Sequence, residues 1–544
     1  MRLETSQTIS APPKRREPGG MDLAARSFFG FRRASKALRL FLAIAGPGII
    51  VMVADNDAGG ITTYTTTGAQ YGMHLLWFLI LLGPVAYYVQ EMTVRLGAVT
   101  KRGHAEAIFA SFGRIWGWFS LLDLVVTDWL TMITEFIGMT AALSIFHVPP
   151  IITVILVWII MGSMIMSGRY WTWEKIALVF CLVNLIYIPA AFMVHPSIHD
   201  VLYGSFIPHL PPGGFTNTLF FMLMANIGTT IAPWMLFFQQ SSVVDKGLKE
   251  KDIKFGKLDT AIGAVLTVVV AVVLIIVCGQ LLYGTQVDDA AQAAVAIMPT
   301  SKFIGTIFAI GLFDAGLLGA VCISLASSWA FGEVFGWAHS LNTKIKEAPW
   351  FYAYYFFDLL LAGTVVLIPR APLVLITLFV QVIATTLLPA ALVFLIILLN
   401  DKKTMGKYVN TRWENIANIT IVLAVIITST LYAVSTIFPN WFGASDQPQE
   451  STVSMHISWR MVVGTILHWR KVLLAAAPVA AIAVWIGYRA LQSLRPQVRE
   501  INRKYAKPEV PMTPFVRFCL IGLRIYLLLL VCLMLSKFVI AARS

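Results

Sequence analysis

The strongest constraint on the fold is a series of long apolar runs, separated by short polar or basic loops. Thirteen runs occur, at about 41–67, 73–98, 117–146, 149–167, 174–194, 217–241, 258–283, 303–337, 350–369, 372–400, 415–437, 471–492 and 513–540. The hydrocarbon core of a bilayer is about 30 Å thick, so an apolar helix of about 20 residues crosses it. This succession predicts an all-α polytopic membrane protein, multi-pass and integral to the membrane.

The charge of the chain is consistent with that class. Only 13% of the residues are charged, whereas a soluble protein carries about a quarter. The net charge of +13 could indicate nucleic-acid binding, but the Lys and Arg residues lie in loops between apolar runs, where they encode orientation. We therefore expect the lipid bilayer as a partner and no nucleic acid. The alternation of basic and base-poor loops places the N-terminus in the cytoplasm, most simply at the plasma (inner) membrane.

Two of the runs are interrupted near their middles. Residues 54–60 read Ala-Asp-Asn-Asp-Ala-Gly-Gly, and residues 228–234 read Gly-Thr-Thr-Ile-Ala-Pro-Trp. Glycine and short polar residues are poor helix formers, and proline removes a backbone donor. The two runs occupy matching positions in two five-helix halves, which is typical of an inverted-repeat transporter with its substrate site at the membrane midplane. Incidental kinks are the alternative, because membrane helices are rich in Gly and Pro.

The first interruption contains a carboxylate at bilayer depth, Asp57. A charged group there costs about 2.5–3.5 kcal/mol on insertion scales, so it needs a partner, water or a cation. A carboxylate beside freed carbonyl oxygens favours a hard cation and repels an anionic substrate. Asp57 could instead be the N-cap of the following helix, and both roles can coexist. Asp55 is expected to lie on the permeation path.

The third apolar run contains three acids, Asp123, Asp128 and Glu135. Asp128 and Glu135 are seven residues apart, which places them on one face of a helix. Glu135 is the deeper of the two and is expected to line the permeation path. We expect Asp123 and Asp128 to be solvated near the cytoplasmic end. No hydrolase motif or ATP-binding loop accompanies the acids, so we expect no enzyme, no catalytic residue and no resident cofactor.

Longer motifs surround the interruptions and continue along the chain. They are Gly46-Pro47-Gly48, Gly68-Ala69-Gln70-Tyr71-Gly72, Glu135-Phe136-Ile137-Gly138, Ile227-Gly228-Thr229-Thr230, Gln381, Leu388-Pro389 and Asp401-Lys402-Lys403-Thr404-Met405-Gly406. With Asp57, these segments closely resemble the Nramp family of divalent metal transporters, over about residues 40–437. The resemblance implies a LeuT-type inverted repeat of five plus five helices with broken helices 1 and 6, followed by additional C-terminal helices.

The domain organisation follows from the runs and the resemblance together. Residues 1–40 are a basic cytoplasmic tail, whether translation starts at Met1 or at Met21. We expect a ten-helix core at 41–400, in which 41–194 form the first repeat and 217–400 the inverted second repeat. The eleventh helix is expected at 401–440. Residues 441–544 are expected to form a C-terminal extension with one or two further membrane helices. The oligomeric state stays open, and a monomer is compatible with the sequence.

The resemblance also implies a ligand set, from which this chain departs. The family's metal site uses Asp-Pro-Gly-Asn in helix 1 and Met-Pro-His in helix 6. Here Asp57-Ala58-Gly59-Gly60 keeps the acid but has glycine for asparagine, and Ala232-Pro233-Trp234 lacks the thioether and the imidazole. The implied donors include the Ala54 and Thr229 carbonyls and the Gln381 amide. The implied metal-site positions are Asp57, Ala54, Gly60, Thr229, Ala232 and Gln381, with Trp234 on the permeation path.

The missing methionine predicts a change of selectivity. A thioether is a soft ligand that favours manganese, iron or cadmium, whereas magnesium requires oxygen ligands and gives up its waters reluctantly. An all-oxygen, wider site therefore favours a partly hydrated magnesium ion. This pattern resembles the Nramp-related magnesium transporter branch, which also accepts manganese. We expect Mg²⁺ and Mn²⁺ as substrates, with zinc and iron poor.

Proton coupling is expected to be absent. In the proton-coupled members, the helix-6 histidine, an Asp–Glu pair on helix 3 and arginines on helix 9 form the proton route. Here Trp234 and Met132 replace the histidine and the aspartate, and residues 347–369 contain no basic residue. We therefore predict a uniporter that works by alternating access. The alternatives are a proton-coupled Mn/Fe transporter of the Nramp type, an amino-acid or amine carrier of the same fold, and a sensor that does not transport.

Overall fold

The computed structural model describes residues 36–287, 289–368, 373–437, 492, 494–511 and 513–543, and these residues form helices joined by turns and loops. The helices of the first half are α1 (Lys36–Ile44), α2 (Pro47–Ala54), α3 (Ala58–Tyr71), α4 (Leu76–Thr100), α5 (His104–Phe112), α6 (Arg114–Ser144), α7 (Pro150–Ile165), α8 (Tyr170–Val183), α9 (Ile188–Met193) and α10 (Ile198–Phe206). Those of the second half are α11 (Asn217–Thr230), α12 (Pro233–Lys246), α13 (Ile253–Leu281), α14 (Ala290–Ile297), α15 (Lys302–Phe335), α16 (Pro349–Val366), α17 (Leu373–Asn400), α18 (Lys402–Met405), α19 (Arg412–Ile437) and α20 (Pro514–Arg543).

The described chain divides into two units. The first ends at Ala45 and contains α1, which is nine residues long. The second runs from Gly46 onwards and contains the other labelled helices, including both interruptions. The candidate functional site therefore lies within the second unit.

Seven helices in the described part of the chain are long and apolar enough to cross a membrane. They are Leu76–Thr100, Tyr170–Met193, Asn217–Lys246, Glu250–Leu281, Lys302–Phe335, Thr377–Asn400 and Arg412–Ser435. Their number and apolar character confirm the predicted all-α polytopic class. The thirteenth apolar run forms the 30-residue helix α20, whereas the twelfth, at 471–492, lies almost wholly outside the described residues.

The helices of the two halves follow each other in the same order and with similar lengths. α4 and α13 are 25 and 29 residues long, α6 and α15 are 31 and 34, and α7 and α16 are 16 and 18. Each half also begins with a helix divided in two, α2–α3 and α11–α12. This order is that of the expected five-plus-five LeuT-type fold with broken helices 1 and 6.

Glycines bring three helices of the core into close contact beside the first interruption. A Cβ placed on Gly138 of α6 would lie 2.3 Å from the Cβ of Ala58 on α3. A Cβ on Gly316 of α15 would lie 2.8 Å from the Met139 side chain and 3.6 Å from the same Ala58 Cβ. Small residues allow membrane helices to approach this closely. The start of α3 is therefore fixed between α6 and α15.

Charged side chains hold the opposite end of the first broken helix. The Asp259 carboxylate on α13 accepts the backbone N–H groups of Gly46 at 3.0 Å, Gly48 at 2.6 Å and Ile49 at 3.3 Å. A carboxylate at a helix N-terminus pairs with otherwise unsatisfied N–H groups and with the positive end of the helix dipole. At the same end of the bundle, Lys246 at the close of α12 forms a buried 2.7 Å ion pair with Glu174 of α8. These contacts connect both broken helices to the surrounding scaffold.

Candidate metal site at the two helix interruptions

Asp57 connects the two parts of the first broken helix. α2 ends at Ala54 and α3 begins at Ala58, with Asp57 in an extended conformation at the N-cap position. Its Oδ1 accepts the N–H of Gly60 at 2.7 Å, which satisfies one of the free donors of the new helix. The N-cap role considered from the sequence is therefore confirmed, and the side chain is only 3% exposed.

Glu135 lies at the same helix terminus as Asp57. Its Oε2 accepts the N–H of Ala58 at 2.9 Å, and the residue is fully buried. α15 passes directly behind both acids, because a Cβ on Gly319 would lie 2.8 Å from the Asp57 Cβ and 3.0 Å from Glu135 Oε2. The structure thus brings together two carboxylates from different helices, one predicted for the metal site and one for the permeation path.

Gly59 and Gly60 present backbone without side chains, and we call this buried stretch the Gly59–Gly60 surface. Several of the other predicted site residues lie against it. A Cβ on Gly60 would lie 2.8 Å from the Asp55 carbonyl oxygen, 2.9 Å from Thr229 Oγ1 and 3.4 Å from Asp57 Oδ1. A Cβ on Gly59 would lie 2.0 Å from Gln381 Nε2. Helices α3, α11 and α17 therefore meet at this point, with hydroxyl, carbonyl, carboxylate and amide groups around it.

Several polar atoms around this surface are buried without a hydrogen-bond partner among the described residues. They are Asp55 Oδ2, Asn56 Oδ1, Thr229 Oγ1 and Gln381 Nε2. An unpaired buried polar group costs about 1–3 kcal/mol, and the oxygens in this set are groups that a cation can satisfy. The Gln381 amide presents its nitrogen to Gly59; rotation of the amide by 180° would present its oxygen there instead.

The second interruption contributes backbone and apolar groups. α11 ends at Thr230 and α12 begins at Pro233, a position where the missing proline donor costs nothing. The N–H of Ala232 donates to the Met235 sulfur at 3.3 Å. Trp234 is fully buried and packs on Phe238 with ring centroids 6.2 Å apart; its Nε1 has no hydrogen-bond partner within the described part of the chain.

The predicted site residues lie at the Gly59–Gly60 surface and at the two helix interruptions. Asp57, Gly60, Thr229 and Gln381 meet at the glycine surface. Ala54 is the last residue of α2, where helix carbonyls lack partners within the helix. Ala232 and Trp234 lie at the second interruption, and Asp55 is buried between the two parts of the first broken helix. Their roles as ligands and path residues stay predictions.

Two sequence expectations for α6 are wrong. Asp123 and Asp128, expected to be solvated, are buried at 6% and 0% exposure. Asp128 accepts a hydrogen bond from Ser327 of α15, and the neighbouring Ser324 donates to Asp358 of α16 at 2.9 Å. The spacing placed Asp128 on the Glu135 face, but only the packing of α15 and α16 against that face shows that it is enclosed.

Sequence reasoning also missed three residues that shape the site. Gly319 gives no local signal, since its importance comes from its approach to Asp57 and Glu135. Met235 lies directly after the Ala232-Pro233-Trp234 segment and brings a sulfur to the Ala232 N–H. Asn226 donates its side-chain N–H to Thr67 Oγ1 at 2.9 Å and so joins α11 to α3. Its position as a polar residue within an apolar run was the feature of the sequence that could have indicated this role.

The groups around the glycine surface come from several residue types. Among the described residues, no group of three or more His, Cys, Asp or Glu side chains is placed to hold a metal ion. The polar groups that meet at the glycine surface are carboxylates, a backbone carbonyl, a hydroxyl and an amide. Oxygen-rich groups of this kind are the type that hard cations prefer.

Comparison with known proteins agrees with the fold and the broken helices. Residues 48–435 match the sequence profile of the Nramp family, described as natural resistance-associated macrophage protein-like. The divalent metal cation transporter MntH of Caldanaerobacter subterraneus is 23% identical over 409 residues, 72% of this chain and 93% of that protein. The protein of the same name from Staphylococcus aureus is 27% identical over 438 residues, 75% and 94% of the two chains.

A solved structure shows the same fold. The manganese transporter of Eremococcus coleocola superposes with a TM-score of 0.63 at 19% identity, covering 86% of this chain and 97% of its own. This likeness supports the arrangement of helices around the two interruptions. With the family profile covering most of the chain and both broken helices in place, this protein belongs to the Nramp family.

Proposed function

We propose that this protein carries divalent metal cations across the membrane, with Mg²⁺ as the preferred ion and Mn²⁺ also accepted. The observation that carries the proposal is the convergence of Asp57, Thr229 and Gln381 on the Gly59–Gly60 surface. These groups offer oxygen donors around a buried carboxylate. Family membership and the names of the MntH relatives support transport of divalent metals.

The magnesium preference is supported by what surrounds that surface. Gly60 has no side chain, and Ala232 contributes only a methyl group and backbone at the second interruption. These positions bring no sulfur or imidazole to the glycine surface, and the oxygen donors around it suit a hard ion. Asp57 supplies a buried carboxylate, and the carboxyl group of Glu135 lies beside it at the same helix terminus.

Transport is proposed to be passive and by alternating access. The half-helices α2 and α12 would open one side of the site, and α3 and α11 the other, against the rest of the bundle. An inside-negative potential of 100 mV favours entry of a dication by about 4.6 kcal/mol, at about 2.3 kcal/mol per charge. No co-transported proton is required for uptake down this gradient.

A proton-coupled manganese transporter is the second candidate. The Met235 sulfur lies 3.3 Å from the Ala232 nitrogen, so a soft donor is present at the second interruption and could turn toward a metal. The relatives named above are divalent metal cation transporters, and the solved structure is a manganese transporter. This candidate predicts acidification during uptake and strong competition by cadmium.

The deciding experiment is flux into proteoliposomes that contain a pH dye and a divalent-ion indicator. Mg²⁺, Mn²⁺, Ca²⁺, Zn²⁺ and Cd²⁺ are applied separately under an inside-negative potential. We expect uptake of Mg²⁺ and Mn²⁺ without acidification. Acidification in step with uptake would replace the proposal by the second candidate, and absence of flux for every metal would refute both.

Asp57→Asn provides the matched test of the site. The amide keeps the N-cap acceptor for Gly60 but removes the charge, so flux should fall at least tenfold while the protein stays folded. Asp200→Asn, in an exposed loop helix, is the control and should leave flux unchanged. Size-exclusion chromatography and thermal unfolding of both variants separate lost transport from lost structure.

A further inference from the structure

Arg524 is a charged side chain on the outer surface of the apolar helix α20. It lies ten residues after Pro514, about 15 Å along the helix, and it is exposed on the protein surface. Its guanidinium carbon lies 5.1 Å from the centroid of the Trp116 ring. In the described part of the chain Arg524 forms no ion pair with a carboxylate.

A groove of about 360 Å³ lies beside this arginine, between the start of α6 and α20. Its walls are Ile115, Trp116, Phe119, Arg524, Leu527 and Leu528. Apart from the guanidinium and the indole nitrogen, these side chains are apolar. The groove therefore has the character of an acyl-chain site with one cationic group at its edge.

The position of α20 is fixed by hydrogen bonds on both sides of Arg524. Tyr526 donates its hydroxyl to the Thr386 carbonyl of α17 at 3.0 Å. Before the helix, the N–H of Glu509 donates to Ala110 O at 2.9 Å, and the N–H of Arg114 donates to Tyr505 O at 3.0 Å. These contacts hold α20 and the segment before it beside the start of α6, where the groove lies.

The segment that leads into α20 is strongly basic. Between residues 494 and 524 there are two acids, Glu500 and Glu509, and seven bases, Arg495, Arg499, Arg503, Lys504, Lys507, Arg517 and Arg524. Glu509 pairs with Arg102 at 3.1 Å. Basic residues next to a membrane helix attract anionic lipid, worth about 1 kcal/mol per Lys or Arg near the surface.

We propose that this groove binds an anionic phospholipid. The Arg524 guanidinium receives the phosphate, the Trp116 ring covers the other face of the guanidinium, and an acyl chain lies along Ile115, Phe119, Leu527 and Leu528. An exposed arginine on an apolar helix is costly in a membrane unless it reaches a headgroup or water, and a bidentate phosphate contact supplies that partner. The proposal is independent of which ion the protein transports.

The test is native mass spectrometry of the full chain purified with phosphatidylglycerol or with phosphatidylcholine. Wild-type protein should retain phosphatidylglycerol at least fivefold more than phosphatidylcholine. Arg524→Gln should abolish the difference, whereas Arg412→Gln, an exposed arginine at the start of α19, should keep it. Leu528→Trp, which fills the groove and preserves the charge, should also lower retention of phosphatidylglycerol.

Each contrary result identifies a different error. Equal retention of the two lipids by the wild type would refute recognition of the anionic headgroup. Unchanged retention in both Arg524→Gln and Leu528→Trp would refute the location. A dimer that Arg524→Gln converts to monomer would show that a second copy of the chain, rather than a lipid, occupies the groove.

Discussion

The Glu135 carboxylate accepts the backbone N–H of Ala58 at 2.9 Å and so joins α6 to the first turn of the half-helix that Asp57 caps. One acid thus fixes the start of the half-helix and also lies next to Asp57 in the candidate site. Changing the charge while keeping an acceptor separates these two roles.

Glu135→Gln should keep the hydrogen bond to Ala58 through its amide oxygen but remove the acidic group beside Asp57. We expect magnesium flux to fall several-fold with little change in thermal stability. Glu135→Ala should lower flux and also destabilise the protein by about 1–3 kcal/mol, because the Ala58 N–H loses its partner. Equal stability of the two variants would contradict the proposed capping role.

Gly319→Ala should disrupt the site without changing any charge. The new Cβ would lie 2.8 Å from the Asp57 Cβ and 3.0 Å from Glu135 Oε2, so α15 or the two acids must move. Such overpacking costs about 1–3 kcal/mol. Gly522→Ala on α20 is the control, because its Cβ would have no neighbour within 4 Å. Thermal unfolding and flux of both variants check the expectation.

Ala232→Met should place a second thioether at the second interruption. A soft donor strengthens binding of cadmium and manganese relative to magnesium, so calorimetry should show tighter cadmium binding and flux assays a lower preference for magnesium. Ala232→Leu, which is of similar size but has no sulfur, is the control. If leucine and methionine give the same cadmium affinity, sulfur at this position is not a ligand.

Removal of Lys246 should strongly destabilise the protein. Its ammonium and the Glu174 carboxylate are 2.7 Å apart and wholly buried, and Lys246→Met leaves that carboxylate unpaired, at a cost of about 3–5 kcal/mol. The double variant Lys246→Met/Glu174→Gln should recover part of the loss. Arg102→Met breaks the exposed pair with Glu509 and should cost no more than about 1 kcal/mol. Thermal unfolding in detergent compares the three.

Stability should fall in mild acid through a histidine pair outside the membrane helices. His74 Nδ1 and His209 Nε2 are 2.9 Å apart, and burial, together with the nearby His209 charge, lowers the pKa of His74 below 6.5. The unfolded chain therefore binds a proton at His74 more readily than the folded protein does. The contribution of His74 to the free energy of unfolding is complete above the pKa of the unfolded chain and is lost as the pH falls through the pKa of the folded protein.

The measurement is the unfolding temperature at pH 8 and pH 5. His74→Gln should reduce the difference between the two temperatures. His199→Gln, at a side chain that is 84% exposed, should leave it unchanged. A pH dependence that persists in full in His74→Gln would assign it to other groups.

By itself, the sequence determined the class of the protein, the places where two helices break and the acid at the first break. These properties depend on local composition: apolar length decides what can cross a bilayer, and Asp57, Gly59, Gly60 and Pro233 disfavour a continuous helix wherever they are placed. The heptad spacing of Asp128 and Glu135 likewise predicted their common face.

Only the tertiary structure decided which groups meet. Thr229 and Gln381 lie 169 and 321 positions beyond Gly60 in the numbering, and nothing local to them indicates the Gly59–Gly60 surface on which they converge. Gly319 and Arg524 gain their importance from Asp57, Glu135 and Trp116, which belong to other helices. The sequence alone predicted a solvated Asp128, whereas the structure shows it enclosed by α15 and α16. Burial is a property of the packed bundle and not of one helix.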